Sequence, residues 1–177
     1  MNREDAVAAA TAYFDQGDFE AELARRVAIK SESQNPDAGD EIDRYLSAEM
    51  EPSLKALGFT CQILENPMEG GWPMLVAERI EDPSLPTLLT YGHGDVVLGL
   101  PEEWREGLDP WELKREGDRL YGRGTADNKG QHTINMAALR AVLELRGKLG
   151  FNCRYLIEMG EETGSPGLGA FCEKHKD

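Results

Sequence analysis

Basic residues are scarce in this chain: 19 lysines and arginines face 33 aspartates and glutamates over 177 residues, a formal net charge of −14 at pH 7. Nucleic acids and anionic membranes both need clustered Lys and Arg, so neither is expected as a partner. An acidic excess is ordinarily a solvated surface, although it suits a protein that holds divalent cations. Cysteine is scarcer still. Cys61, Cys153 and Cys172 are widely spaced and odd in number, with no Cys-x-x-Cys pair. No disulfide framework is visible, and the expected compartment is a reducing cytoplasm. The opening MNREDAVAAATAYFDQGD brings acidic residues early and has no basic stretch leading into an apolar one. It predicts neither a signal peptide nor a membrane span. Repeats and low-complexity tracts are absent. Two nucleotide motifs also fail. GRGTAD at 122–127 lacks the third glycine of a dinucleotide fingerprint, and DNKG at 127–130 has no Ser or Thr after its lysine.

A chain of this length is enough for one compact domain and can bury roughly two thirds of its unfolded surface. Helical spacing opens it, with Asp18 as the expected N-cap and Phe19, Leu23 and Val27 on one stripe. SESQNPDAGD at 31–40 is loop chemistry. A second helix is predicted from about Asp40 to Leu57, with Ile42, Leu46, Met50, Leu54 and Leu57 on one face, Gly58 as its stop and Pro52 as a kink. FTCQIL and PMLVAERI predict a hairpin. TLLTYGHGDVV at 87–97 is a continuous apolar run ending in glycines, the pattern of a strand buried on both faces. Residues 99–118 show no period, and RLYGRG is a short strand. Residues 131–146 predict a helix with Ile134, Ala137, Ala138, Ala141 and Leu145 on one side, followed by the strand FNCRYLIEM and the start of a last helix at LGAFCEKHKD. Strands alternating with helices make an α/β layer structure, in which functional residues gather in loops at strand ends.

Three such loops carry chemistry. His93 and Asp95 sit in YGHGDVV, Asp127 in GRGTADNKG, and the adjacent Glu161 and Glu162 in EMGEETGSPG. Imidazole and carboxylates are the N and O donors that a zinc-type ion prefers. Two neighbouring glutamates can divide the labour of a hydrolytic site, one binding metal and the other taking a proton from the activated water. Asp95 suits a histidine ligand because such a ligand gives its second ring N–H to a carboxylate, which fixes the tautomer. Each residue has a plainer reading. His-x-Asp is common in loops, paired glutamates are commonly solvated, and Asp127 serves equally as a cap for the helix starting near Lys129. His132 reads as a surface or satisfied core histidine, His175 has no role, and Trp104 and Trp111 read as packing residues.

The order GHGDVV, then DPWELKREGDRLYGRGTADNKG, then MGEETGSPGL resembles the M20 metallopeptidases, a family of aminoacylases, acetylornithine deacetylases, desuccinylases, carboxypeptidases and carnosine-type dipeptidases. The resemblance runs from about residue 18 to the end, and its wording is closer to the dipeptidase branch. It implies a three-layer zinc-exopeptidase-like catalytic domain, with a central mixed sheet flanked by helices, incomplete at its C-terminal side. It also implies two divalent metal ions, zinc foremost with cobalt or manganese as alternatives. His93 would bind one ion, Asp127 bridge both and Glu162 bind the other. Glu161 would be the general base and Asp95 the partner of His93, with a cis Asp127–Asn128 peptide. The activity implied is cleavage of a peptide or N-acyl amide bond in a small peptide or N-acyl amino acid. The family pattern further requires an acidic ligand soon after the Glu-Glu loop, a late histidine, and a smaller domain that dimerises. Residues 1–177 therefore read as the N-terminal part of such a domain, expected to bind metal weakly. The rival expectation is a non-catalytic fragment or assembly module that keeps the fold without activity.

Overall fold

Two helices, rather than one, open the chain in the computed structural model, which describes residues 2–176. α1 (Arg3–Asp15) starts from a reciprocal cap, with Asn2 Oδ1 accepting from the Asp5 N–H and Asp5 Oδ2 from the Asn2 N–H. Gly17 then takes φ +86°, a left-handed value that suits glycine, and breaks the run. α2 (Asp18–Val27) begins from Gly17. Asp18, expected as the N-cap, is instead its first helical residue and makes no capping bond. A carboxylate in the first turn still meets the positive end of the helix dipole, so the signal was one position out. Leu23 and Val27 are buried as their spacing predicts.

α3 (Gly39–Arg44), a π-helical turn at Tyr45–Met50 and α4 (Glu51–Ala56) run on as one irregular helix. Pro52 accounts for the wide turn. It has no N–H to offer the carbonyl four residues back, and the Glu51 N–H reaches Leu46 O, five residues back. Ile42, Leu46, Met50 and Leu54 keep the predicted common face and are 0% exposed; such burial is worth about 1.5–3 kcal/mol per side chain.

β1 (Thr60–Leu64) and β2 (Met74–Arg79) form the expected hairpin, with Thr60 opposite Glu78 and Leu64 opposite Met74. β3 (Thr87–His93) follows, then the small hairpin of β4 (Lys114–Glu116) and β5 (Arg119–Tyr121), inside a stretch that has no readable period. α5 (Lys129–Arg146), β6 (Asn152–Glu158) and α6 (Leu168–Lys174) complete the described chain. The main sheet is mixed, in the order β1-β2-β6-β3, with only β3 and β6 parallel. Helices lie on both of its faces. α3, α4, the π turn and α5 enclose the main core with Leu75, Ala77, Cys153, Tyr155 and Ile157 of the sheet. On the other face α6 buries Phe171 and leaves a groove of about 580 Å³ against the strands.

Two expectations are corrected. β3 is the edge of the sheet and is not buried on both faces: Leu88, Leu89 and Tyr91 are 51%, 64% and 47% exposed. An apolar run states that two faces want cover, and the described neighbours cover neither at these positions. In α5, Ile134, Ala138 and Leu145 are exposed and only Ala141 of the expected stripe is buried. The inward face begins with Lys129, His132 and Thr133 and continues with Met136 and the partly buried Leu139, Val142 and Leu143, which pack against the core. Its first turn is held by polar bonds, among them Arg26 Nη1 to Thr133 Oγ1 at 2.5 Å and Tyr45 Oη to His132 Nε2 at 2.7 Å. Hydrogen-bonded polar faces are invisible to a search for apolar period. No helix of the described residues is long and apolar enough to cross a membrane.

Candidate metal centre

Parallel pairing brings the chemistry together. β3 and β6 run side by side with His93 opposite Glu158, so both strands end at the same edge of the sheet. Loops leaving the C-terminal ends of parallel strands share one crevice. His93 closes β3 and Asp95 follows it. Glu161 and Glu162 lie in a 3₁₀ turn (Glu161–Thr163) three residues past the end of β6. The crossover between the two strands returns through 122–128 and delivers Asp127 just before α5. Gly94 lets the chain pass at this point. A Cβ there would come within 2.3 Å of the Tyr45 ring and 2.7 Å of Met159 Sδ.

His93 is buried, with an oxygen acceptor against each ring nitrogen. Nδ1 is 3.1 Å from the Asp95 carbonyl oxygen and 3.3 Å from its Oδ1, which places a proton on Nδ1. Nε2 faces outward, 3.0 Å from Asp127 Oδ1 and 3.8 Å from Glu161 Oε2. Burial opposes the imidazolium. The hydrogen bond and charge of Asp95, the bond to Asp127 and the charge of Glu161 outweigh that and raise the pKa from 6.5 to about 9. Nε2 thus asks for a cation, either a proton or a metal ion. Two ligand atoms on one tetrahedral zinc stand about 3.3 Å apart, so the spacing between Nε2 and Oδ1 is of coordination size.

Asp95 is fully buried and its carboxylate is saturated with donors. Oδ1 accepts from the Glu161 N–H at 3.2 Å and faces His93 Nδ1, while Oδ2 accepts from Ser33 Oγ at 2.5 Å and the Glu162 N–H at 3.1 Å. The residue expected to orient one histidine therefore also seats both glutamates. The reason is local: the 3₁₀ turn leaves its first N–H groups without helical partners, and a buried carboxylate is the natural acceptor.

Glu161, Glu162 and His93 each offer a ligand atom within 4.8 Å of the others. Burial, then the charges of Asp127, Asp95 and Glu161, push the Glu162 carboxyl above its usual range against the pull of His93. Asp127 is exposed and points at His93 instead of capping α5, whose N-cap is Asn128 with no side-chain bond. The Asp127–Asn128 peptide is cis, as the resemblance implied. Behind it, the buried Lys129 ammonium donates to Arg26 O at 3.0 Å and Ile29 O at 2.7 Å, tying the loop that carries Asp127 to the end of α2. Burial pushes this lysine down to about 7, against the charges of Glu41, Asp95 and Glu32.

Several contributors had no signal in the sequence. Ser31 Oγ donates to Gly94 O at 2.7 Å, and Trp72 Nε1 donates to Ser33 O at 3.2 Å. The buried Glu158 accepts from Tyr91 Oη and, at 2.8 Å, from Ser165 Oγ, which holds the far end of the Glu161–Glu162 loop. Each lies in a segment that reads as plain loop or strand, and no short spacing links the partners. His132 is a core histidine, with Nε2 bonded to Tyr45 and Nδ1 without a hydrogen-bond partner. Trp104 donates to Gly99 O, Trp111 packs where a Gly99 side chain would go, and His175 lies against Phe171; none reaches the centre.

Comparisons with known proteins place the chain among relatives. The profile described as Peptidase family M20/M25/M40 matches residues 89–177. A Beta-Ala-His dipeptidase of Rattus norvegicus is 31% identical over 92% of the chain and 35% of its own length. A Cysteinylglycine-S-conjugate dipeptidase of Corynebacterium striatum is 29% identical over 89% of the chain and 33% of its own length. The crystal structure of human carnosine dipeptidase 1 superposes with a TM-score of 0.88 at 30% identity, covering 98% of the chain and 38% of that structure. The chain thus spans about a third of the length of the relatives it matches.

Proposed function

The chain belongs to peptidase family M20/M25/M40, and from that premise we propose that it supplies metal-binding and proton-transfer residues to a hydrolase that cleaves the amide bond of a dipeptide. One observation carries the reading: a buried imidazole whose Nδ1 is fixed as a donor by Asp95 and whose Nε2 is aimed at the carboxylates of Asp127 and Glu161. The donor set suits divalent ions, and two zinc ions are the assignment we favour. His93, Asp127 and Glu162 would hold them.

A divalent ion bound there supplies a Lewis acid that polarises the scissile carbonyl and acidifies water. Glu161 sits beside His93 with its side chain partly open to solvent, placed to accept a proton from the attacking water. The water oxygen bonds to the carbonyl carbon, the C–N bond breaks, and Glu161 returns the proton to the departing amine. Asp95 keeps the glutamate backbone and the His93 ring fixed throughout. The dipeptide substrate class is supported by the relatives' names, with N-acyl amino acids as the alternative class of the same chemistry. On this reading residues 1–177 are the first part of a catalytic domain. The unpaired cysteines support a reducing cytoplasm.

The test is metal binding. In a calorimetric zinc titration the chain is expected to bind the ion, weakly as befits part of a site, and His93→Ala not to bind it. The whole reading frame containing these residues is expected to hydrolyse β-alanyl-histidine or cysteinylglycine. A wild-type chain that binds no zinc, or a whole protein inert on every dipeptide, favours the non-catalytic module.

A further inference from the structure

We propose that Ser33 is a positioning residue of the metal centre, acting through Asp95. The proposal rests on the metal reading given above and adds to it a residue from outside the three motif loops. Ser33 lies in the segment between α2 and α3, 62 residues before Asp95 in the chain. Both side chains are buried, and the hydroxyl donates to Oδ2 at 2.5 Å, the length of a charge-assisted bond.

The argument is one of saturation. Asp95 Oδ2 is shared between the Ser33 hydroxyl and the Glu162 N–H, and Oδ1 between the Glu161 N–H and the His93 ring. A buried carboxylate with donors on every side has one orientation. Removal of the hydroxyl leaves Oδ2 short of a partner where water has little access, and the carboxylate regains rotational freedom. Both glutamate amides depend on that orientation, so the loss reaches the two together, while His93 Nδ1 keeps the Asp95 carbonyl oxygen. Ser33 is itself fixed, because its carbonyl accepts from Trp72 Nε1 at 3.2 Å. Next to it, the Val96 N–H donates to Ser31 O at 2.9 Å and Ser31 Oγ donates to Gly94 O. Ser31 is thus an internal control: it is buried in the same segment and bonded to the same loop, but not to the carboxylate.

The experiment compares wild type, Ser33→Ala, Ser33→Thr and Ser31→Ala as the 177-residue chain. It reads amide exchange at Glu161 and Glu162 by NMR and zinc affinity by calorimetry. Ser33→Ala is expected to speed exchange at those two amides about tenfold and weaken zinc binding about tenfold, the lower end of the range for residues that orient a ligand. Amides in β1 and β2 should not change. Ser33→Thr, which keeps the hydroxyl, should restore both readings, and Ser31→Ala, which loosens Gly94 but leaves every donor on the Asp95 carboxylate, should move both less than Ser33→Ala. Wild-type rates in Ser33→Ala overturn the proposal, as does an equal effect from Ser31→Ala. If wild type takes up no zinc while Ser33→Ala still frees the two amides, the metal reading fails and the positioning of the loop by Ser33 stands.

Discussion

Asp127 Oδ1 lies 3.0 Å from His93 Nε2, although 34 residues and a β-hairpin separate the two in the chain. The contact joins a buried ring to a carboxylate that is 69% exposed, so one partner belongs to the core and the other to the crevice. Asp127→Asn should accordingly leave stability nearly unchanged, within about 0.5 kcal/mol. Zinc affinity should fall at least tenfold because the amide oxygen is a poorer ligand than a carboxylate. Thermal unfolding and zinc titration read the two effects separately; an unchanged zinc affinity removes Asp127 from the ligand set.

The paired glutamates should part company when each is neutralised. In the whole protein Glu161→Gln is expected to retain zinc and lose about 10²- to 10⁴-fold in turnover, the usual contribution of a positioned base. Glu162→Gln should lose zinc as well. Retained turnover in Glu161→Gln would assign the proton transfer to another group.

A pH effect on stability is expected from His132. Burial above all, then the charges of Arg26 on α2, His93 on β3 and Lys129 on α5, hold its pKa well below 6.5 in the folded chain. The unfolded chain takes up that proton near 6.5. Below this value the unfolded state binds more protons, so folding weakens as pH falls through 6.5, while above it His132 has no effect. Urea midpoints from pH 7.5 to 5.5 should fall more steeply for wild type than for His132→Gln, by up to one proton's worth of slope. Parallel curves would contradict this.

Two glycines should respond in opposite ways to alanine. A Cβ on Gly130 would run into the backbone carbonyl of Thr125, which cannot swing aside, whereas one on Gly169 meets nothing within 4 Å. Gly130→Ala is expected to destabilise by about 1–3 kcal/mol and displace the loop carrying Asp127. Gly169→Ala, in α6, should stabilise by about 0.4–1 kcal/mol. Chemical denaturation of both variants decides; a neutral Gly130→Ala would show that the loop has slack.

Legibility followed the kind of signal. The face Ile42, Leu46, Met50 and Leu54 was readable because apolar side chains at helical spacing share one burial. The hairpin of β1 and β2 was readable from its turn, and Pro52 announced an irregular helix without saying that a π turn would absorb it. α5 misled because alanines are compatible with either face, and its inward side opens on the polar Lys129, His132 and Thr133 before Met136, Leu139 and Leu143 take over. β3 misled because apolarity in a strand does not say which neighbours arrive. In the centre, His93, Asp95, Asp127, Glu161 and Glu162 stood out through glycine-flanked motifs, since each needs a tight backbone path. Ser33, Trp72 and Glu158 did not, since a serine in a loop looks the same whether or not its hydroxyl finds a buried carboxylate.

What the sequence determined alone was the donor inventory and its order: one imidazole and four carboxylates, each within three residues of a glycine at the end of a strand or the start of a helix. Those are local properties, written in residue type and spacing. What only the tertiary structure decided was convergence. The parallel register that sets His93 opposite Glu158, the return of the crossover that puts Asp127 against Nε2, and the saturation of Asp95 by Ser33 and two backbone amides all join segments far apart in the chain. Such contacts form because buried polar atoms must find partners somewhere, and where they find them is a property of the packed fold.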